Sequence, residues 1–465
     1  MAFIEAKDYG FEYEGAGKKS LILDELEIDE GELVLVFGRS GCGKTTLMRR
    51  LAGQDMFRGT ETGKLTVKAN SHGYVWQDTA SQIVCDRVES ELVFGMENMG
   101  YSKELMERRL AELVMFFGLD GLLHKKTYEL STGEQQILNV ASAVALKPEM
   151  MLYDEPTGSM DPASADRFLS IVKKINKELG ITTILTEQRP EIFFEIADRI
   201  LVMDEGRVVF NGSHDELMRA AGASSGHPGE AYLPGFIGKS GKTYEVSGCS
   251  DKNAISAKRV WFRYEQGGQD VIKDLSFELK AGSISAMVGA NGSGKSTLAM
   301  LLAGLKRPYM GKVRAVGDIA YLPANPVYMF TKDKVFKELG GDRTAPEYAG
   351  ALGLDVGTGA YTANMHPMDL SGGEMERLGL AIALSRECDI YILDEPTKGL
   401  DPYAKIALND ILHTMIRKNK TILLITHDVE FAAVSSDNMA MMFDGRLVAY
   451  ESTEAFLSNN YFYQI

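Results

Sequence analysis

Apolar residues recur along the chain in short runs that end at a glycine or at an acidic pair. ELVLVFG (32–38) and ISAMVG (284–289) are near-continuous apolar runs closed by glycine, the pattern of strands buried on both faces. TTLMRRLAG and STLAMLLAG follow them and read as helices stopped by glycine. MMLYD (150–154) and IYILD (390–394) read as central strands, TTILT (182–186) and TILLIT (421–426) as two more. Short apolar strands separated by helical patterns predict an α/β fold, a mainly parallel sheet flanked by helices.

The pattern occurs twice. GRSGCGKTT at 38–46 returns as GANGSGKST at 289–297, LSTGE at 130–134 as LSGGE at 370–374, and MLYDEPTGSMDP at 151–162 as YILDEPTKGLDP at 391–402. Ser131 precedes Asp154 by 23 positions, and Ser371 precedes Asp394 by the same 23. Order and spacing together indicate a domain duplication. The segment AAGASSGHPGEAYLPGFIGKSGK, rich in Gly, Ser and Ala, has the composition of a connector. The reading is a first domain at 1–220, a flexible connector at 221–255 and a second domain at 256–465.

Composition narrows the class. With 65 Asp and Glu against 50 Lys and Arg, the net charge of −15 argues against general binding of nucleic-acid phosphates. Cys42, Cys85, Cys249 and Cys388 share no CxxC spacing, so neither a disulfide framework nor a zinc site is indicated, and a reducing compartment fits best. MAFIEAKDYG lacks the basic-then-apolar pattern of a secretory signal. No apolar stretch approaches the roughly 18 residues of a membrane span.

G-x-x-x-x-G-K-[ST] appears as Gly38, Arg39, Ser40, Gly41, Cys42, Gly43, Lys44, Thr45, and again as Gly289, Ala290, Asn291, Gly292, Ser293, Gly294, Lys295, Ser296. Thr46 and Thr297 follow. Glycines let backbone N–H groups converge on an anion, and the next helix adds its positive N-terminal dipole. Lys44 and Lys295 would reach the β- and γ-phosphates of ATP, while Thr45 and Ser296 would ligate Mg²⁺. A single match could be a chance glycine turn; two, each between a strand and a helix, are not readily so. Cys42, in the slot of Ser293, reads as a small neutral filler. Asp154-Glu155 and Asp394-Glu395 each end an apolar strand. The aspartates would hold Mg²⁺ and the glutamates would act as general bases on the attacking water.

With these motifs in register, the two halves resemble ATP-binding cassettes, the nucleotide-binding domains of ABC proteins. LSTGE and LSGGE resemble that family's signature: Ser131, Thr132, Gly133, Glu134 and Ser371, Gly372, Gly373, Glu374. The resemblance implies two tandem P-loop NTPase domains, each with a helical signature subdomain. It also implies head-to-tail pairing, in which the signature of one cassette closes over ATP on the other, here within one chain. Tyr13 and Tyr264 match the aromatic that stacks on adenine. Gln77 matches the glutamine that senses Mg²⁺ and the γ-phosphate. Asp161 and Asp401 match the loop that crosses the pair, and His427 matches the switch histidine.

The copies differ where the family is most regular. Gln188 stands where the second copy has His427; an amide can hydrogen-bond a phosphate but carries no charge. Ala324 stands where the first copy has Gln77, and Thr132 where the second has Gly372. Two composite, non-equivalent ATP sites are expected, both retaining the glutamate base, with site two the faster because loss of the histidine costs more.

VESELVFGMENMG, after Gln77, is similar to a segment in the ATPases of energy-coupling factor importers for vitamins or transition-metal ions such as cobalt or nickel. That resemblance implies an ATPase on the cytoplasmic face of the cell membrane. Its partners would be a transmembrane coupling subunit and a membrane substrate-binding subunit, with no nucleic acid. Two alternatives stand beside it: the ATPase of another ABC importer or exporter, or a twin-cassette protein acting on ribosomes. The join, short and Gly/Ser-rich, lacks the charged helical character of the ribosomal type. Metal chemistry beyond Mg²⁺ has no motif: the seven histidines are scattered, and His366 reads as a loop residue.

Overall fold

A computed structural model describes residues 2–14, 17–54, 58–77, 79–158, 160–223, 232, 252–340, 344–357 and 361–460. The chain divides into two compact units, Met1–Pro234 and Gly235–Ile465. The expected connector, 221–255, lies mostly outside the described residues. Within it fall the end of the helix His214–Ala223, Tyr232, and the first residues of the strand Asn253–Phe262.

In the first unit the described strands form one nine-stranded sheet. Its spatial order is Gly59–Val67, Ile4–Tyr13, Leu21–Ile28, Arg207–Gly212, Arg199–Asp204, Leu33–Gly38, Thr182–Thr186, Met150–Asp154, His72–Val75. Leu33–Gly38 pairs in parallel with strands on both sides, and every one of its residues is buried. Met150–Asp154 and Thr182–Thr186 are likewise buried throughout, which is why they read as unbroken apolar runs.

The sheet is mixed. Ile4–Tyr13 pairs antiparallel with Leu21–Ile28 and with Gly59–Val67, and Arg199–Asp204 pairs antiparallel with Arg207–Gly212. The expected parallel sheet is therefore its central part. Among the antiparallel strands Gly59–Val67 lacks an apolar run because it faces solvent, having no buried residue.

The second unit repeats the plan with its described strands in two sheets. One is Ile272–Lys280, Asn253–Phe262, Met310–Ala315; the other is Ile319–Leu322, Ile390–Asp394, Thr421–Ile425, Ile284–Val288, Asn438–Phe443, Arg446–Ser452. Alternate residues of the central strands feed separate cores. Ala286, Val288, Leu393 and Leu424 pack on one face with Leu408 and Phe431. Met287, Ile392, Leu423 and Ile425 pack on the other with Phe277 and Leu298.

Each unit carries a helical subdomain between its sheet and its signature motif. In the first it contains the helices Val88–Asn98 and Lys103–Phe117, followed by Thr132–Val144. In the second, shorter helices enclose a small core of Val335, Leu339, Ala349, Leu354 and Leu378. Glu91 of VESELVFGMENMG is buried and accepts hydrogen bonds from the backbone N–H groups of Val84 (3.0 Å) and Cys85 (2.7 Å), tying that helix to the segment after Gln77.

Candidate nucleotide sites

Both phosphate loops take the conformation their glycines predict. Gly43 and Gly294, at φ 102° and 101°, occupy the N-cap positions of Lys44–Leu51 and Lys295–Leu302, and neither helix start has a side-chain cap. A helix start of this kind attracts an anion through its backbone N–H groups and its positive dipole end. A Cβ on Gly38 would lie 2.0 Å from the Met203 carbonyl oxygen, and one on Gly43 2.6 Å from that of Ser20. Lys44 Nζ donates to the carbonyls of Gly38 (2.8 Å) and Arg39 (3.3 Å). Lys295 Nζ repeats this on Gly289 (2.7 Å) and Ala290 (3.0 Å). Both ammonium groups thus rest inside the loop a phosphate would fill.

Cys42 is buried, and burial pushes its thiol upward, which suits a filler and not a reactive thiolate. Tyr13 Oη lies 3.1 Å from Thr46 Oγ1, and Tyr264 Oη 3.0 Å from Thr297 Oγ1, so both phenols sit against the helix that follows the loop.

The carboxylates differ between units. Asp154 Oδ1 accepts from Thr186 Oγ1 (2.8 Å) and Thr45 Oγ1 (3.4 Å), and Oδ2 accepts from Tyr74 Oη (3.2 Å). In the second unit Ile425 takes the register of Thr186, opposite Asp394. Both Asp394 oxygens are buried without a hydrogen-bond partner among the described residues. Burial pushes the Asp394 pKa up to about 6, the Ser296 hydroxyl and Lys295 opposing the rise and Glu395 adding to it.

Glu155 and Glu395 hold left-handed backbone, φ 48° and 55°, a sparsely populated region for non-glycine residues. Glu155 Oε2 accepts from Gln188 Nε2 (2.7 Å) and Gln77 Nε2 (3.0 Å), and its Oε1 lies 3.7 Å from Lys44 Nζ. Glu395 Oε2 lies 2.8 Å from His427 Nδ1. Ala324, half-buried after the strand Ile319–Leu322, supplies no counterpart to Gln77.

The signature residues begin helices. Ser131 caps Thr132–Val144 and Ser371 caps Gly372–Ser385, each in a capping box with Glu134 or Glu374. Gly133 packs where a Cβ would meet Ser164 Cβ at 2.9 Å, and Gly373 packs near the Gly399 carbonyl. Asp161 and Asp401 cap the helices Pro162–Leu179 and Pro402–Arg417, accepting from Ser164 (2.9 Å) and Ala404 (3.0 Å) N–H groups. His366, expected in a loop, caps the short 3-10 helix Pro367–Asp369, its Nδ1 accepting from Met368 N–H.

Four side chains here were not singled out in the sequence: Tyr74, Thr186, Ile425 and Glu187. Glu187 is fully buried and accepts from Thr157 N–H (3.1 Å); burial pushes it up to about 8. Strand register, counted back from Gln188 and His427, was the available signal.

The residues fit Mg²⁺, a hard cation that takes oxygen ligands and relies on substrate phosphates for several of them. Asp394 offers two buried oxygens beside Ser296, and Asp154 lies against Thr45. No group of three or more His, Cys, Asp or Glu side chains able to hold a metal occurs among the described residues.

These features define a duplicated P-loop ATPase with a signature helix in each unit. The sequence profile of the ABC transporter family matches residues 24–158 and 272–398, and the chain belongs to that family. ATP hydrolysis is the activity the family implies.

A Bacillus cereus protein, provisionally named an ABC transporter ATP-binding protein, is 32% identical over 520 residues, covering 100% of this chain and 94% of the relative. A Methanosarcina acetivorans protein of the same provisional name is 30% identical, covering 96% and 84%. Among solved structures, archaeal ribosome recycling factor aABCE1, in complex with ribosomal stalk protein aP1, matches with a TM-score of 0.66. That match is 22% identical and covers 97% of this chain and 92% of that one. ABCE1 in a model of ribosome-bound archaeal Pelota and ABCE1 matches at 0.70 and 20% identity, covering 97% and 79%.

These findings correct one expectation. The expected partners, a transmembrane coupling subunit and a membrane substrate-binding subunit, are not borne out: two solved structures that share the twin-cassette fold over 97% of this chain are described with ribosomal partners instead. The names of the relatives likewise stop at ABC transporter ATP-binding protein and do not support the energy-coupling factor resemblance. No helix among the described residues is long and apolar enough to cross a membrane.

Proposed function

We propose that this chain is an ATPase with two non-equivalent ATP sites and that it converts ATP turnover into work on a separate macromolecule. The observation that carries the reading is the approach of a strand-end Asp-Glu pair to a phosphate-loop lysine and hydroxyl, seen directly in the 3.7 Å between Lys44 Nζ and Glu155 Oε1. On ATP binding, Lys44 and Lys295 would exchange loop carbonyls for the β- and γ-phosphate oxygens. Glu155 and Glu395 would take a proton from the attacking water. Mg²⁺, held by Thr45 and Asp154 with Gln77 nearby, or by Ser296 and Asp394, would neutralise phosphate charge. Tyr13 and Tyr264 would stack on adenine.

The sites differ in what holds the base. Glu155 accepts from two amides with Lys44 Nζ 3.7 Å from its other oxygen, and Glu395 Oε2 lies 2.8 Å from the His427 imidazole. An imidazole can carry a proton and a charge toward the γ-phosphate, and an amide cannot. Site two is therefore the faster.

Two readings of the work remain distinct. Action on ribosomes follows the twin-cassette fold shared with the archaeal recycling factor. Service to an importer or exporter follows the names of the relatives. Measuring ATPase activity of the purified chain tests the first step: no Mg²⁺-dependent hydrolysis would end the proposal. Fractionating cell extracts in the ATP-bound state tests the second. Co-sedimentation with ribosomes supports the former reading, and recovery with the membrane fraction supports the latter.

A further inference from the structure

Thr186 connects both catalytic carboxylate residues of the first unit. Its Oγ1 lies 2.8 Å from Asp154 Oδ1, to which it donates, and 3.1 Å from the Glu155 backbone nitrogen, from which it accepts. It is buried, at the end of the strand Thr182–Thr186, opposite Asp154 in the parallel register. The hydroxyl therefore fixes one oxygen of the aspartate and braces the left-handed glutamate next to it.

The second unit has the same backbone without the same hydroxyl. Ile425 pairs opposite Asp394, its carbonyl accepts from Glu395 N–H (2.7 Å), and its side chain belongs to the apolar core. Asp394 is left with two buried oxygens and no hydrogen-bond partner among the described residues. Tyr321, in the register of Tyr74, makes no hydrogen bond to Asp394 either, so Asp394 lacks the partners on both of its oxygens, and Ile425 accounts for the one that Thr186 supplies to Oδ1 in the first unit.

We propose that Thr186 is a positioning residue that preorganises Asp154 for the divalent cation, and that Ile425 makes the second site the weaker cation binder of the two. Hydrogen bonding to a ligating carboxylate fixes its orientation, and losing such a partner typically weakens metal affinity by about 10–100-fold. The inference rests on the proposed assignment of Asp154 and Asp394 to Mg²⁺. It adds a division of labour: the site with the imidazole is not the site with the preorganised metal ligand.

Mn²⁺ binding to the full chain, read by electron paramagnetic resonance with a non-hydrolysable ATP analogue, tests it without turnover. In a Lys295→Ala background, which disables nucleotide binding at the second loop, Thr186→Ile is expected to weaken Mn²⁺ binding by about tenfold or more. Thr186→Ser, which keeps the hydroxyl, should restore it. In a Lys44→Ala background, Ile425→Thr should tighten Mn²⁺ binding by a similar factor while Ile425→Val does not. Equal Mn²⁺ affinity for Thr186→Ile and its parent, with both folded by circular dichroism, would overturn the inference. If the unmodified chain binds the nucleotide but no Mn²⁺, the metal assignment itself fails, and the inference falls with it.

Discussion

The side-chain amide of Gln188 donates to Glu155 at 2.7 Å, at the position where the second unit sets His427 2.8 Å from Glu395. The same strand-end geometry thus presents an amide in one site and an imidazole in the other. With Glu395→Gln silencing site two, the pH–rate profile should carry no imidazole limb. Adding Gln188→His to that variant should introduce one between pH 5 and 8, where imidazoles change charge. Steady-state ATPase rates across that range check this. An unchanged profile would show that the residue at 188 takes no part in turnover.

Glycines of one loop should differ in tolerance. Gly41, at φ 77°, has open space around a notional Cβ, whereas Gly43 and Gly38 meet backbone oxygens at 2.6 and 2.0 Å. Gly41→Ala pays backbone strain alone, on the order of 1–2 kcal/mol. Gly38→Ala must also move the strand that carries Met203. Chemical denaturation should rank Gly38→Ala as clearly the more destabilising, with nucleotide binding lost.

Tyr13 separates ring from hydroxyl. Its Oη meets Thr46 and its ring is the proposed adenine platform. Tyr13→Phe should leave ATP affinity near its starting value. Tyr13→Ala should weaken it by about fivefold, the size of a stacking contribution of roughly 1 kcal/mol. Fluorescent-nucleotide titration in a Lys295→Ala background measures both; equal losses would assign the role to the hydroxyl.

Glu187 gives a pH signature in stability. Its folded pKa of about 8 lies above the ordinary 4.5, so between those values the folded state keeps a proton that the unfolded state releases. Raising pH through that window therefore favours unfolding, and the penalty is full above pH 8. Glu187→Gln removes the ionisable group and keeps an acceptor for the Thr157 N–H. It should stabilise the chain more at pH 8.5 than at pH 6, by on the order of 1–3 kcal/mol. Paired melts at the two pH values check the difference.

The fold was legible where burial was symmetrical. Leu33–Gly38, Met150–Asp154 and Ile390–Asp394 are buried throughout, so their sequences are apolar runs that announce strands. Gly59–Val67 pairs along much of its length with Ile4–Tyr13 yet buries none of its own residues, so GTETGKLTV carries no such sign. The same division holds at the site. Lys44, Glu155 and His427 stand in spaced motifs. Thr186 is invisible in that reading because its role depends on lying opposite Asp154 in another strand. Ile425, within the strand read from TILLIT, is informative only once that register is known.

The central claim is that the two sites hydrolyse ATP at unequal rates because different groups hold their glutamates. Single Glu155→Gln and Glu395→Gln variants of the full chain, compared by residual ATPase activity, test it most directly. Each exchange should slow its own site by about 10²–10⁴-fold, as expected for loss of a general base. Glu395→Gln should therefore remove the larger share of turnover, leaving the slower site with Gln188. Equal residual activity in the two variants would contradict the account.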